Sequence, residues 1–452
     1  MPIASRRRAA LGAVVAIALT GAGASQPSPT PADGSPSLAS ERGFAPGEIL
    51  VRMRGERRER LREPPPGLGV RRAARRLERD EDVAYAVPNY RAQVAGRFIP
   101  NDPGTAGVPR GWTKDQWNFL GPPGGVGAPR AWDALRDQGR PGGARRSGER
   151  GPRVAVVDTG IAYLSVGGYA RSPDFSRDQF AAGRDFVDGD RLPLDENGHG
   201  TFIAGTIGEQ VDNARAVTGI AYGARLMPVR VLDQAGIGDA DKVRAGIVWA
   251  MRHNAKVINL SIQFGPAVTS CEQVPGVCEA IAKARRRGSI VIAAAGNGLP
   301  DNIGEPRVSL PGLAALAVGG TTVRGCLGRY SNYGEGLDLV APGGGPDALH
   351  LDDRDCDPLA SENPDIVQLT FAGGPNGERS SFALEEEHGT SMAAAHASAV
   401  AALVIASRVL TRGKREATPG RIEKRLERTA RELGDHRYYG AGLVNARRAI
   451  GR

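Results

Sequence analysis

The sequence predicts an α/β fold: a mostly parallel sheet with helices on both faces, preceded by a small α+β segment. Two observations carry this. From Val154 onward, short unbroken apolar runs alternate with stretches of helical character, and strands lacking polar alternation are strands buried on both faces. Residues able to do chemistry then fall directly after several of those runs, where the carboxyl ends of parallel strands open a crevice.

Taken in order, Val154-Ala155-Val156-Val157 reads as the first core strand and Thr201 to Ile207 as an apolar helix. Arg225 to Leu232 is a strand, Asp241 to Arg252 a helix, and Val257 to Ser261 a strand. Glu279 to Arg287 is a helix, and Ser289 to Ala295 and Ala314 to Gly319 are further strands. Met392 to Ser407 is alanine-rich and free of Gly and Pro, which reads as a buried helix. Right-handed crossovers would connect these units. Arg136 to Arg153 is rich in Gly and Arg and is expected to be a solvated loop.

The chain of 452 residues has room for one large domain and a smaller one. Residues 1–24 read as an export signal: Arg6-Arg7-Arg8, an apolar stretch from Ala9 to Thr20, then Ala22-Gly23-Ala24 as a small-residue cleavage site. That apolar stretch is too short to span a membrane comfortably, so no stable span is expected after cleavage. Ser5-Arg6-Arg7 also begins like a twin-arginine signal. Gln26 to Ser40 is a Pro/Ser/Ala spacer. Within residues 25–97, Gly47 to Met53 and Val83 to Tyr90 read as strands and Arg71 to Arg79 as a helix.

The formal charge of +9 raises a nucleic-acid reading, but the excess is misplaced for one. Residues 1–97 hold 17 Arg and Lys against 10 Asp and Glu, while residues 98–452 hold 42 against 40. With only 6 Lys among 59 cations, the bias looks compositional, and no nucleic-acid binding is expected.

Cys271, Cys278, Cys326 and Cys356 all lie beyond the leader. An even number in an exported chain implies two disulfides, with three connectivities open. Cys271–Cys278 and Cys326–Cys356 are favoured because each pair is local and loop-bound. Zinc is disfavoured, since no further ligands stand at metal spacing.

Four motifs concentrate the chemistry. Asp158 follows the first core strand in Asp-Thr-Gly, a setting that suits a turn residue equally well. The aspartic-protease use of Asp-Thr-Gly requires a second copy, which the chain lacks. His199 stands in Asn-Gly-His-Gly-Thr, where flanking glycines leave the imidazole reachable. Asn297 closes Ala-Ala-Ala-Gly-Asn, where its amide could meet a developing oxyanion. Ser391 in Gly-Thr-Ser-Met-Ala opens the apolar helix, either capping it or presenting a nucleophile near the positive helix end.

The order Asp158, His199, Asn297, Ser391 resembles that of the subtilisin-like serine proteases (subtilases, peptidase family S8), over roughly Phe98 to the C-terminus. The resemblance implies a serine endopeptidase with a subtilisin-like domain at 98–452. Ser391 would be nucleophile, His199 base, Asp158 its orienting carboxylate and Asn297 the oxyanion donor. It also implies that Gly236, Ile237 and Gly238 form one edge of the substrate cleft and Ser261, Ile262 and Gln263 the other. Ala293, Ala294, Ala295 and Gly296, with Ser261, would line the main specificity pocket. Protein or peptide substrates, a monomeric state and a secreted or periplasmic (cell-envelope) location follow from the same likeness.

No cofactor is implied for the chemistry; structural calcium is, with Asp102 in Pro-Asn-Asp-Pro matching a ligand position. The partner loop at Glu209 to Ala214 is short for such a site. The strand Val-Ala-Tyr-Ala-Val-Pro-Asn-Tyr resembles the end of a family propeptide, so residues 25–97 read as a linker plus a short inhibitory segment cleaved between Tyr90 and Phe98. The competing reading of this block is a disordered charged linker. Three departures stand out. Ala395 replaces a family proline. Gln263 and Phe264 replace a Gly-Gly pair and could crowd the pocket rim. Gly343 to His388 is a long loop carrying Glu385-Glu386-Glu387, which could cover the cleft or favour basic substrate residues.

Overall fold

The computed structural model describes residues 44–90, 98–144, 150–298, 307–348, 356–359, 363–411 and 417–451. The expected export signal, spacer and cleavage region at 91–97 lie outside them. The chain divides into two compact units, residues 1–92 and 93–452.

In the first unit, β1 (Phe44–Met53), β2 (Arg60–Arg62), α1 (Val70–Leu77) and β3 (Val83–Tyr90) form an antiparallel sheet of order β2-β1-β3 with one helix. Ile49, Val51, Val70, Ala73, Ala74, Val83 and Ala86 make its core. The β1 and β3 runs and the helix match the sequence reading. The three-residue β2 is too short and too exposed to leave a hydrophobic signature.

The second unit begins with α2 (Trp112–Asp115) and α3 (Ala128–Asp137). There follow β4 (Arg153–Asp158), β5 (Arg184–Asp185), α4 (His199–Gly208), β6 (Arg225–Arg230), α5 (Ala240–Arg252), β7 (Val257–Leu260), α6 (Pro275–Arg286), β8 (Ile290–Ala294) and β9 (Leu316–Thr321). Then come β10 (Leu339–Pro342), β11 (Ile366–Phe371), β12 (Phe382–Glu387), α7 (Thr390–Ser407), α8 (Pro419–Thr429), α9 (His436–Tyr439) and α10 (Ala446–Ile450).

Seven strands pair in the order β10-β9-β8-β7-β4-β6-β5, all parallel. In β4 the side chains alternate: Val154 and Val156 enter the core shared with α3, α4 and α7, while Ala155 and Val157 enter the core shared with α5 and α6. Both faces are therefore covered, as the apolar runs required. At about 25 cal/mol per Å² of apolar surface removed from water, this two-sided burial is the main favourable contribution to folding.

α7 is apolar enough by composition to cross a bilayer, yet 83% of it is buried inside this unit against β7, β8, β9 and β10. It is a core helix. Ala395, where the family has proline, is wholly buried within it and lets the helix run unbroken for 18 residues.

Two expectations need correction. The last part of the supposed loop before His388 is a hairpin: β11 and β12 pair antiparallel from Ile366↔Glu387 to Phe371↔Phe382. β11 is fully buried, so its apolar run belonged to a strand. The Gly/Arg-rich connection after α3 is also not simply solvated, because Gly142, Gly143 and Ala144 are buried. The structure joins Cys271 to Cys278 and Cys326 to Cys356.

Candidate active site

Asp158 is the last residue of β4 and is fully buried. Its Oδ1 accepts from the Thr159 N–H at 2.8 Å and lies 2.7 Å from His199 Nδ1. That contact assigns the proton to Nδ1 in neutral imidazole and leaves Nε2 as the basic lone pair.

His199 opens α4, and the glycines on either side have separate causes. Gly198 sits at φ +111°, and a Cβ there would lie 3.0 Å from Thr370 Oγ1 of the hairpin. Thr370 Oγ1 also donates to Gly198 O at 2.7 Å. A Cβ at Gly200 would collide with the Gly160 carbonyl oxygen. The pair thus lets the helix start wedge between β11 and the turn after Asp158.

That turn is held by Asp195, which the sequence reading missed. Its Oδ1 accepts from Thr159 Oγ1, Asn197 N and Gly198 N at 2.9 Å each, and its Oδ2 from Thr201 N and Oγ1 at 2.9 and 2.6 Å. A buried carboxylate with five donors rigidifies its loop. The available signal was Asp-x-Asn-Gly-His, an Asx-type turn running into a helix.

Asn297 follows β8. Its Oδ1 accepts from Thr390 N and Thr390 Oγ1, both at 3.0 Å, which fixes the oxygen end of the amide and turns Nδ2 the other way. Thr390 Oγ1 also accepts from Gly296 N at 3.2 Å. Ser391 stands in the first turn of α7. Its Oγ donates to Ser261 O at 3.4 Å, while Ser261 Oγ donates to Ser391 O at 2.9 Å. Asn259 Nδ2 donates to Ser261 Oγ at 2.9 Å, and Ser398 Oγ to Asn259 Oδ1 at 2.8 Å, tying α7 to the end of β7.

Electrostatics lift the imidazole. Burial opposes a charge on His199, but the Asp158 carboxylate and its hydrogen bond, with Glu387 and Asp195 behind, outweigh it and raise the pKa to about 9. Burial also raises Glu387, the last residue of β12.

His199, Asn297, Thr390 and Ser391 face one cleft of about 490 Å³. Gly236, Ile237 and Gly238 border it, as do Ser261, Ile262 and Gln263, and Ala294 contributes to its wall. Ala293 and Ala295 do not: both are wholly buried in the core on the opposite sense of the strand from Ala294. Gly296 is likewise taken up in packing against Ser309 and Asn332. Gln263 lines the cleft with its Oε1 accepting from Asn297 N at 2.5 Å. Phe264 lines the cleft beside it, and Thr159, Asn197, Leu232 and Gly265, which were not anticipated, line it too.

Asp102 is buried, but both of its oxygens accept backbone N–H groups, from Asp212 at 2.8 Å and Asn213 at 3.1 Å. It clamps that loop. Its charge-coupled neighbours Asp174 (Oδ2) and Glu209 (both) carry open carboxylate oxygens, buried without protein partners among the described residues. Burial, with the Asp102 charge, pushes Asp174 up to about 8 against the pull of Asn213 and Arg215. Burial, with Asp174 and Asp102, pushes Glu209 well up. On donor chemistry these two acids suit a hard cation. The one convergent trio of metal-ligand types among the described residues, Cys326, Asp347 and Cys356, has its sulfurs joined in a disulfide.

The sequence profile of the subtilase family matches residues 149–442. A thermophilic serine proteinase of Bacillus sp. strain AK1 is 30% identical over 386 residues, covering 84% of this chain and 76% of that protein. Subtilisin Savinase of Lederbergia lenta is 33% identical over 305 residues, 66% of this chain and 90% of its own length. Among solved structures, a protease from Pseudoalteromonas arctica is similar with TM-score 0.59 and 28% identity, over 78% of this chain and 99% of that one. With the family profile spanning more than half of its length, the chain belongs to the subtilase family and is a serine endopeptidase.

Proposed function

We propose that Ser391, His199 and Asp158 are the catalytic triad of this endopeptidase and that Asn297 is its oxyanion donor. The observation that carries the reading is the 2.7 Å Asp158–His199 contact, with Ser391 and Asn297 on the same cleft. The Ser391 hydroxyl turns from Ser261 O toward His199 Nε2, gives up its proton there and attacks the scissile carbonyl. Asp158 holds the imidazole in the required tautomer and stabilises the imidazolium. The oxyanion receives hydrogen bonds from Asn297 Nδ2 and the Ser391 backbone N–H. His199 passes the proton to the departing amine, leaving an ester on Ser391. Water, deprotonated by His199, then cleaves that ester.

An extended peptide would lie between Gly236–Gly238 and Ser261–Gln263, pairing with both edges through its main chain. Ala294 and the rim side chain of Gln263 would shape the pocket for the residue before the scissile bond.

Residues 1–24 would direct export, and residues 44–90 would serve as an inhibitory prosegment released by self-cleavage between Tyr90 and Phe98. A structural calcium ion would be held by the open oxygens of Asp174 and Glu209, and chelation would then lower Tm.

A fluorophosphonate probe should label the secreted, processed protein at Ser391. N-terminal sequencing of wild type beside Ser391→Ala tests processing. An unlabelled, folded protein would refute the triad, and equally efficient processing of the variant in the absence of other proteases would refute self-cleavage.

A further inference from the structure

We propose that Ser398, two turns along α7 from the nucleophile, is a positioning residue that acts on Ser391 through Asn259 and Ser261. The inference rests on the triad proposed above and extends it to a side chain that does not line the cleft. Ser391 and Ser398 are seven residues apart on α7, so about two turns bring them to one face of the helix. Asn259 in β7 and Ser261 just beyond it are two residues apart and share one face of the strand. Asn259 and Ser398 are wholly buried and Ser261 is 5% exposed, so these polar groups depend on one another for partners.

Hydrogen supply forces the sense of the chain. Ser398 Oγ donates to Asn259 Oδ1 at 2.8 Å, Asn259 Nδ2 to Ser261 Oγ at 2.9 Å, and Ser261 Oγ to the Ser391 carbonyl at 2.9 Å. A carbonyl oxygen only accepts, so the single hydroxyl hydrogen of Ser261 is committed to Ser391 O. With the Asn259 amide turned over, Oδ1 would face Ser261 as a second acceptor and compete for that one hydrogen. Ser398 prevents this, because its own hydrogen holds Oδ1 at the far end. Bonds joined head to tail in a buried setting also polarise one another, which strengthens the last of them.

The chain grips the backbone of Ser391 and leaves its side chain loose. The carbonyl is held at 2.9 Å, whereas the Ser391 hydroxyl rests on Ser261 O at 3.4 Å, beyond the usual range for an O–H···O bond. The mount is firm, and the hydroxyl is free to swing to His199. Fixing the peptide plane after Ser391 fixes the direction of its Cα–Cβ bond, and with it the point from which the hydroxyl attacks. A nucleophile that drifts from that point loses rate while substrate affinity is kept.

The test is a double-mutant cycle on the folded enzyme. It reads the second-order rate of fluorophosphonate labelling at Ser391, together with kcat and KM for a peptide p-nitroanilide. Ser398→Ala should lower the labelling rate and kcat by roughly three- to tenfold. KM should stay within about twofold of wild type. Ser261→Ala should lower both rates at least as far, and adding Ser398→Ala to it should lower them no further, because the last bond of the chain is already gone. A serine that only packs the core would give losses that multiply. Wild-type labelling and kcat in Ser398→Ala would overturn the proposal, as would multiplying losses in a double variant that circular dichroism shows folded. Wild-type enzyme that takes no label at Ser391 would refute the triad and this proposal with it, whereas labelled wild type with an unchanged Ser398→Ala rate would overturn the Ser398 role alone.

Discussion

The two ends of the central sheet are built from the same strands and follow opposite rules. At the carboxyl end, β4 delivers Asp158, the turn after β7 delivers Ser261, and the residues after β8 deliver Asn297. The polar groups there bond to one another, as in the five donors that converge on Asp195. At the amino end, Arg153 and Arg225 donate instead to the main-chain carbonyls of His253 and Phe180, so the side chains there are held by backbone. At one end side chains are tied to one another across several elements, and at the other they are tied to the main chain.

The contrast can be attacked from either end. The largest effect belongs to the proposed oxyanion donor: Asn297→Ala should lower kcat by roughly 10²–10³, a magnitude established for the corresponding change in subtilisin, with KM little altered. An equal loss in kcat and in substrate binding would mean that Asn297 shapes the cleft instead.

Next comes the pH profile. As the proposed base, His199 works only when neutral, and its pKa is raised to about 9, so kcat/KM should climb through the alkaline range as the imidazole loses its proton. Glu387 helps to hold that proton, so Glu387→Gln should move the acid limb to lower pH. An unmoved limb would remove Glu387 from the electrostatics of the site.

A smaller change is expected at the rim. Gln263→Gly deletes the side chain that bonds Asn297 N, and it should raise kcat/KM several-fold for peptides with a bulky residue before the scissile bond while changing small ones little. Smallest of all, Arg225→Gln at the far end should leave peptide hydrolysis within about twofold of wild type, because an altered side chain with no shared partners couples weakly over such distances. A large loss would show that the two ends communicate.

Legibility in the sequence followed the same divide. Asp158, His199, Asn297 and Ser391 were readable because each occupies a short motif at the boundary of an apolar run, and β4, β6, β7 and β8 announced themselves by continuous hydrophobicity. Asp195 was not, since an Asp in a polar turn looks like any other until its donors are assembled around it. The hairpin β11–β12 was hidden by length: two six-residue strands inside what looked like a long insertion. Ala293 and Ala295 were assigned to the cleft with Ala294 because a run of alanines does not declare which side chains face inward.

Thr390 holds the amide of Asn297 with both its backbone N–H and its hydroxyl, and it is the residue immediately before the serine. The proposed attacking atom and anion cradle are therefore pinned to a common anchor. When the walls of the groove breathe apart to admit or release a chain, the two should drift together and keep their mutual alignment, so that flexibility elsewhere need not detune the reaction centre.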